Sequence, residues 1–396
     1  MPSSHPRADE PSTASILPLR RALLTWYRRT HRPLPWRETR DAYAIWVSEI
    51  MLQQTQIATV IPYYRRFLKT FPTVSELARA RLDRVLRLWS GLGYYRRARH
   101  MHAAARKMVE EFDGRFPARL AEARSLAGVG SYTAAAVLSI AYDARLAVLD
   151  GNVARVAARI DARKGGLAEA RFRKAVEVRL RDLLSERHPG EFNQALMELG
   201  QTICLPRSPR CLSCPVRPWC RAHRLGTPEA FPSARPRRAT EQHHLAAAVI
   251  FRPGCSADAD PELEGASRAV MLVRGLDEGL MSDLWNFPSA FGRSPAHARA
   301  LLQTKIATLC TTAPLACDPD LESVDTSDTR QTASDKISVG AQLVRLRHSV
   351  TYRDIEVRAY HVELAAPRSH GIRWLKLSNF GGAPVSELAR KIARQI

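Results

Sequence analysis

Apolar positions recur at spacings of three and four from Ile16 to about Ala222, with few alternating runs, so this stretch is predicted to be helical throughout. The clearest predicted helices cover 42–64, 82–89, 97–111, 132–142 and 152–160. Between 224 and 244 the periodicity stops, and Pro228, Pro232, Pro236 and four arginines make a stretch too broken for a helix and too polar for a core. Beyond it, 245–251, 269–273, 342–346 and 355–362 are short and rich in β-branched or aromatic residues, as strands are, with helical runs at 296–309 and 386–396. The expected fold class is therefore two domains, an all-α one followed by an α+β one. Their expected limits are a loose tail at 1–15, the helical domain at 16–225, a linker at 226–242 and the second domain at 243–396. Residues 318–340, polar throughout, read as a surface excursion.

Composition supports folded domains and sharpens their roles. The 396 residues are 45% hydrophobic and 25% charged, an ordinary globular balance that excludes disorder as the main state. No apolar run approaches the ~18 to 20 residues of a membrane span, and the first 15 residues carry no apolar core of a secretory signal. A soluble, cytoplasmic protein is expected. The formal net charge is +21, and it is distributed unevenly: residues 1–240 hold 42 Lys+Arg against 21 Asp+Glu, residues 241–396 hold 18 of each. An arginine-rich composition explains the preference for Arg over Lys but not this asymmetry, which fits a first domain that faces a polyanion such as nucleic acid.

Four of the seven cysteines, Cys204, Cys211, Cys214 and Cys220, fall within one short loop. An odd total without a secretory signal argues for a reducing compartment rather than a disulfide framework. Four thiolates suit a tetrahedral zinc or a [4Fe-4S] cluster; with one short Cys-x2-Cys hook and wider intervals around it, the spacing favours the cubane. Five arginines (207, 210, 217, 221 and 224) make the loop basic, and a structural role for the metal is favoured over redox chemistry. Leu126-Ala-Gly-Val-Gly-Ser-Tyr-Thr133 is a tight Gly128-Val129-Gly130 turn entering an Ala-rich helix, where free amides would seat a phosphate. A plain helix corner accounts for it as well, but beside the basic charge it reads as a helix-hairpin-helix that grips DNA backbone without reading sequence.

Two carboxylates stand out. Glu49 lies in an otherwise apolar or amide-rich helix, which would raise its pKa and let it act as an acid, although for a lone Glu a cap or an ion pair is the safer reading. Asp150 precedes the helix at 152–160, where an N-cap is the plain alternative. Together they would supply an acid and an anion, the pair that breaks glycosidic bonds.

The matches Leu34-Pro-Trp-Arg37, Trp46 to Gln56, Gly91-Leu-Gly-Tyr-Tyr95 with Arg97, Ala98 and Arg99, Gly128-Val-Gly-Ser-Tyr132, Leu149-Asp-Gly-Asn-Val153, Phe192-Asn-Gln-Ala-Leu196 and the four cysteines occur in order. Over some 200 residues they resemble the helix-hairpin-helix DNA glycosylases with an iron-sulfur cluster, and among them the MutY adenine glycosylases. The resemblance implies a [4Fe-4S] cofactor and excision of adenine from double-stranded DNA opposite 8-oxoguanine or guanine, by a monomer in the nucleoid. It implies that Glu49 protonates N7 of a flipped-out adenine, that Asp150 stabilises the resulting sugar cation or traps C1′, with Asn152 orienting it, and that Tyr132 hydrogen-bonds the acid. Arg37, Leu52 and Gln194 would line the base pocket, and Gln54, Thr55 and Tyr94 would meet the opened duplex. Lyase members carry a lysine where Tyr132 stands, so a monofunctional glycosylase is implied.

The second domain resembles a MutT-like Nudix domain, on the strength of Leu280-Met-Ser-Asp-Leu-Trp-Asn-Phe-Pro288. The magnesium-binding Glu-rich box of a working Nudix hydrolase has no counterpart, since 296–309 contains no Glu or Asp. The domain is expected to read the base opposite adenine and to hydrolyse nothing. Where the family carries Phe-Ser-His, this chain has Val350-Thr351-Tyr352, which keeps a hydroxyl and loses the aromatic wedge and the imidazole.

Overall fold

A computed structural model describes residues 16–233, 239–252, 269–276, 284–311, 338–350, 352–364, 371–378, 380 and 383–396. The chain divides into two compact units, Met1–Leu88 with Arg96–Pro236, and Trp89–Tyr95 with Arg237–Ile396. The helical unit runs α1 (Ile16–Thr30), α2 (Ala42–Leu52), α3 (Ile57–Thr70), α4 (Val74–Arg79), α5 (Leu82–Trp89), α6 (Arg96–Glu111), α7 (Leu120–Arg124), α8 (Ser131–Tyr142), α9 (Gly151–Asp161), α10 (Ala170–Leu183), α11 (Pro189–Thr202) and α12 (Arg221–Arg224).

The core of this unit is built on α2. Every residue from Ala42 to Met51 is buried, as expected of a helix apolar on all sides. Its first turn is closed by Asp41, whose carboxylate accepts from the amides of Tyr43 and Ala44. α2 packs on α8, and α11 packs on α8, α9 and α1. At the α8–α11 contact a Cβ on Gly190 would come within 2.2 Å of the Ser139 carbonyl oxygen, so only glycine permits the approach. Buried Asn193 then ties the segment before α9 to this contact: its Nδ2 donates to Ser139 Oγ and to the Leu146 carbonyl, and its Oδ1 accepts from Val148 N.

The helix predicted over 42–64 is two helices. α2 ends at Leu52, Gln54 takes a left-handed conformation (φ 56°), and α3 begins at Ile57. The cause lies far along the chain, in buried Arg97 of α6. Its Nη1 donates to the carbonyls of Ile50 (2.9 Å), Met51 (2.8 Å) and Gln53, and its Nη2 to Thr55 Oγ1 (3.0 Å). A cation there satisfies carbonyls that a helix end leaves open and opposes the negative end of the dipole. Local periodicity carries no sign of it.

α7 and α8 form a hairpin about Gly128, whose positive φ (75°) and a contact of 2.8 Å between a would-be Cβ and His100 Cβ exclude other residues. After α12 the chain stays with the helical unit beyond 225. Phe231 is buried, its carbonyl accepts from Arg159 Nε at 3.0 Å, and Ser233 N donates to the Gly165 carbonyl.

The second unit is α+β. β1 (Glu241–Val249), β4 (Ser289–Gly292), β5 (Ser338–Val350) and β6 (Arg353–Glu363) form a sheet of order β4-β1-β6-β5, with β1 and β6 parallel and the other pairs antiparallel. β2 (Ala269–Arg274), β3 (Trp285–Asn286) and β7 (Ile372–Lys376) form an antiparallel sheet of order β3-β2-β7. β1 is buried on both faces from Leu245 to Val249, and its side chains alternate between two cores. Leu245, Ala247 and Val249 pack with Leu272, Val357 and Ile392, while Ala246, Ala248 and Ile250 pack with Leu302 and Ile306 of the helix Pro295–Thr311. The residues 280–283 of the Nudix-like stretch, most of the predicted excursion 318–340 and the tail 1–15 lie outside the described residues.

Candidate active site

The α2, α8, α9 and α11 packing leaves a cleft of about 790 Å³ in the helical unit. Its walls include Glu49 and Leu52 from α2, Gln54 and Thr55 from the break that follows, Tyr132 from the first turn of α8, Asp150 and Asn152 from the start of α9, Gln194 from α11, and Arg37. Nine of the residues singled out in the sequence thus meet in one cavity, although they are drawn from five separate segments.

Glu49 is 7% exposed. Burial raises its carboxyl from 4.5 to about 7; Tyr132 and Arg37 favour the ionised form, and Asp150 opposes it, without cancelling the effect of burial. Near neutral pH the group is therefore balanced between acid and base, as a general acid requires. The Tyr132 hydroxyl that acts on Glu49 also donates to Met197 Sδ at 3.3 Å. Burial and the neighbouring Glu49 carboxylate raise the Tyr132 pKa well above 10, so the hydroxyl keeps its proton.

Asp150 is the N-cap of α9: Oδ1 accepts from Val153 N at 2.7 Å, and Oδ2 accepts from Asn152 Nδ2 at 3.1 Å. The Asn152 amide is oriented in turn by Arg155, whose Nη2 donates to Asn152 Oδ1 (3.0 Å) and to the Gly200 carbonyl, and whose Nε donates to the Cys204 carbonyl at 2.9 Å. A continuous set of hydrogen bonds therefore joins the Asp150 carboxylate to the start of the cysteine loop.

The four cysteines line one small cavity with Val156, Ile160, Leu199, Ile203 and Val216. Arg159, also on α9, donates to Cys204 Sγ (3.3 Å) and to the carbonyls of Leu205 and Pro206, and Cys220 Sγ donates back to the Arg159 carbonyl. Burial pushes up the thiols of Cys211, Cys220 and Cys214, the last to about 12. Among the described residues no group of three or more His, Cys, Asp or Glu is placed to hold a metal ion. Four sulfurs around one apolar cavity are nevertheless the donor chemistry of a thiophilic group, zinc or iron-sulfur.

The remaining sequence-predicted residues do not line the cleft. Gly128, Val129 and Gly130 form the α7–α8 turn, with Gly130 capping α8. Tyr94 sits on the Gly91–Tyr95 turn with left-handed backbone (φ 48°) and a side chain 46% exposed. Thr351 lies outside the described residues; its neighbours Val350 and Arg353 form the last pair of the β5–β6 hairpin.

Sequence reasoning missed Glu198, Arg32 and Tyr27, and gave Arg97 no role although it stands among the matching residues. Glu198, fully buried on α11, pairs with Arg32 and Arg37, and the Tyr27 hydroxyl donates to Gln194 Oε1 at 3.2 Å. The only signal available for Glu198 was a charge on the apolar side of a helix, which by itself names no partner.

Residues 47–181 match the HhH-GPD superfamily base excision DNA repair protein. The chain is 34% identical to the adenine DNA glycosylase of Rattus norvegicus, over 96% of this chain and 78% of that protein. It is 37% identical to the adenine DNA glycosylase of Homo sapiens, over 70% of this chain and 58% of that protein. Among solved structures, a thermostable thymine-DNA glycosylase is similar, with a TM-score of 0.50 and 27% identity over 55% of this chain and 100% of that one.

Proposed function

The chain belongs to the adenine DNA glycosylases, base excision repair enzymes of the HhH-GPD superfamily, and from that premise we propose which mispair it acts on and which residues do the chemistry. Its substrate is adenine opposite 8-oxoguanine or guanine in double-stranded DNA, and it acts as a monomer in the nucleoid. No helix among the described residues is long and apolar enough to cross a membrane. The observation that carries the reading is a buried carboxyl poised at about 7, Glu49, sharing a cleft with the Asp150 carboxylate.

The flipped adenine enters the cleft, with Arg37, Leu52 and Gln194 about the base. Glu49 delivers its proton to N7, which turns the base into a leaving group. The bond from C1′ to N9 breaks with both electrons going to the base, and the positive charge left on the sugar faces Asp150. Two hydrogen bonds, from Val153 N and Asn152, hold that carboxylate in place. Water then adds at C1′ and gives up a proton to the Glu49 carboxylate, which restores the acid and leaves an abasic site. Tyr132 offers no amine for a Schiff base, so the strand remains intact, the mark of a monofunctional enzyme.

Cys204, Cys211, Cys214 and Cys220 would hold a [4Fe-4S] cluster, which when bound supplies a cross-link for the basic loop. Gly128, Val129 and Gly130 offer amides to a phosphate, Gln54, Thr55 and Tyr94 contact the opened duplex, and the Nudix-like second unit, through Thr351, inspects the opposite base. The test is single-turnover excision of adenine opposite 8-oxoguanine, guanine and cytosine, with and without alkali. Breakage only after alkali, fastest opposite 8-oxoguanine, supports the reading. Breakage without alkali, or equal rates opposite all three bases, refutes it.

A further inference from the structure

Glu198 is 1% exposed and takes no part in the bond cleavage described above. A carboxylate taken out of water is costly unless paired and hydrogen-bonded, so its partners are informative. Arg32 grips it with two donors, Nε to Oε1 and Nη2 to Oε2, both 2.7 Å. Arg37 Nη2 donates to Oε2, also at 2.7 Å. Burial by itself raises the Glu198 pKa, but the hydrogen bonds and charges of Arg32 and Arg37 outweigh it and leave the carboxyl below its ordinary 4.5.

Arg37 is thereby fixed at several points. Its Nη1 donates to the Arg32 carbonyl at 3.1 Å, its side chain is 9% exposed, and its guanidinium lies 5.5 Å from the Tyr27 ring centroid. The Tyr27 hydroxyl in turn occupies Gln194 Oε1, which leaves the Gln194 Nε2 as the amide's free donor. Both polar groups of the proposed base pocket therefore present N–H groups, and the ring nitrogens of adenine, N1, N3 and N7, all accept.

We propose that Glu198 is the positioning residue of the base pocket: it holds Arg37, and through Arg37 and Tyr27 the donor set that meets the flipped adenine. This rests on the reading of Arg37 and Gln194 as base-pocket residues. Glu198 touches neither base nor sugar. It acts by denying the Arg37 guanidinium any alternative orientation, since swinging away would strip a buried carboxylate of one of its two cations.

The test is a double-mutant cycle in single-turnover excision of adenine opposite 8-oxoguanine, with Glu198→Gln, Arg37→Met and the pair. Glu198→Gln keeps shape and one acceptor oxygen but loses the charge that pins the guanidinium. We expect each single variant to lose about tenfold or more in rate, and the pair to lose no more than Arg37→Met alone, while general duplex affinity stays within about twofold. If the losses multiply, Glu198 acts by another route and the proposal fails. If Arg37→Met is slow and Glu198→Gln runs at the wild-type rate, the proposal fails while the base-pocket reading stands. A wild-type rate for Arg37→Met overturns both. Should Glu198→Gln not fold, Glu198→Asp keeps the charge but falls one methylene short of holding both arginines, and the same cycle applies.

Discussion

Replacing Glu49 by Gln removes a charge whose folding cost is set by the cleft itself. In the unfolded chain the carboxyl ionises near 4.5, and in the folded protein burial delays this to about 7. Between those values the folded state holds a proton that the unfolded state has released, so stability falls as pH rises through the window. Each unit is worth about 1.4 kcal/mol, and the full window therefore costs the wild type about 3 kcal/mol above pH 7. Glu49→Gln carries no such cost. Its stability relative to wild type should be flat below about pH 4.5, should climb between there and 7, and should level off at a gain of up to about 3 kcal/mol.

The assay is urea unfolding of both proteins at half-unit steps from pH 4 to 8.5. Taking the difference between them cancels every other titrating group. Activity should move the other way: wild-type excision declines about tenfold per unit above pH 7 as the acid proton is lost, and Glu49→Gln falls by at least ~10²-fold at all pH values. A stability difference that does not change with pH would refute the reasoning, because the carboxyl would then titrate in the folded protein as it does in water. A variant that gains stability but keeps its rate would leave the electrostatics intact and remove Glu49 from the mechanism.

Asp150→Ser retains a capping oxygen but no charge, so thermal stability should fall by less than about 1 kcal/mol while excision drops by ~10²-fold or more; an active variant would reduce Asp150 to a cap. Purified protein should be brown and contain about four irons per chain, and Cys211→Ser should lose the colour and weaken DNA binding more than it alters the pocket. Colourless, active protein with one zinc would overturn the cluster. A fragment ending near Thr240 holds 42 of the 60 Lys+Arg and every residue of the cleft, so it should bind DNA with strong salt dependence and excise adenine, yet lose preference for 8-oxoguanine. Full discrimination by the fragment would place recognition in the helical unit.

What the sequence revealed and concealed follows from the range of each interaction. α8 and α9 were legible because their periodicity and the glycines or Asp before them are local signals. The break between α2 and α3 was not, because the guanidinium that caps α2 comes from Arg97, more than 40 residues away. Glu198 was illegible for the same reason, with Arg37 161 positions distant. In the second unit β5 and β6 announced themselves through their β-branched and aromatic residues, whereas β3 is two residues long and β7, with the pattern Ile-Arg-Trp-Leu-Lys, has no fully buried residue to mark an inward face. The cleft was readable only through resemblance, since no local pattern tells nine residues from five segments that they will meet.

The plain and the chemical explanations of the two carboxylates turn out not to compete in the same way. Asp150 is an N-cap, and the capping geometry is what suits it to face a cation. The Val153 amide and the Asn152 amide both donate to its carboxylate at the N-terminal end of α9. Glu49 stands in the last turn of α2, where the backbone N–H groups are already engaged within the helix and cannot donate to it, and it shares the cleft with Ile45 and Leu52. The helix start stabilises an anion and the buried helix end withholds one. Burial keeps a proton on Glu49, tempered by Tyr132 and Arg37, while an anchored carboxylate at the start of α9 faces the same cleft, which is the pairing that bond cleavage with one acid and one anion requires.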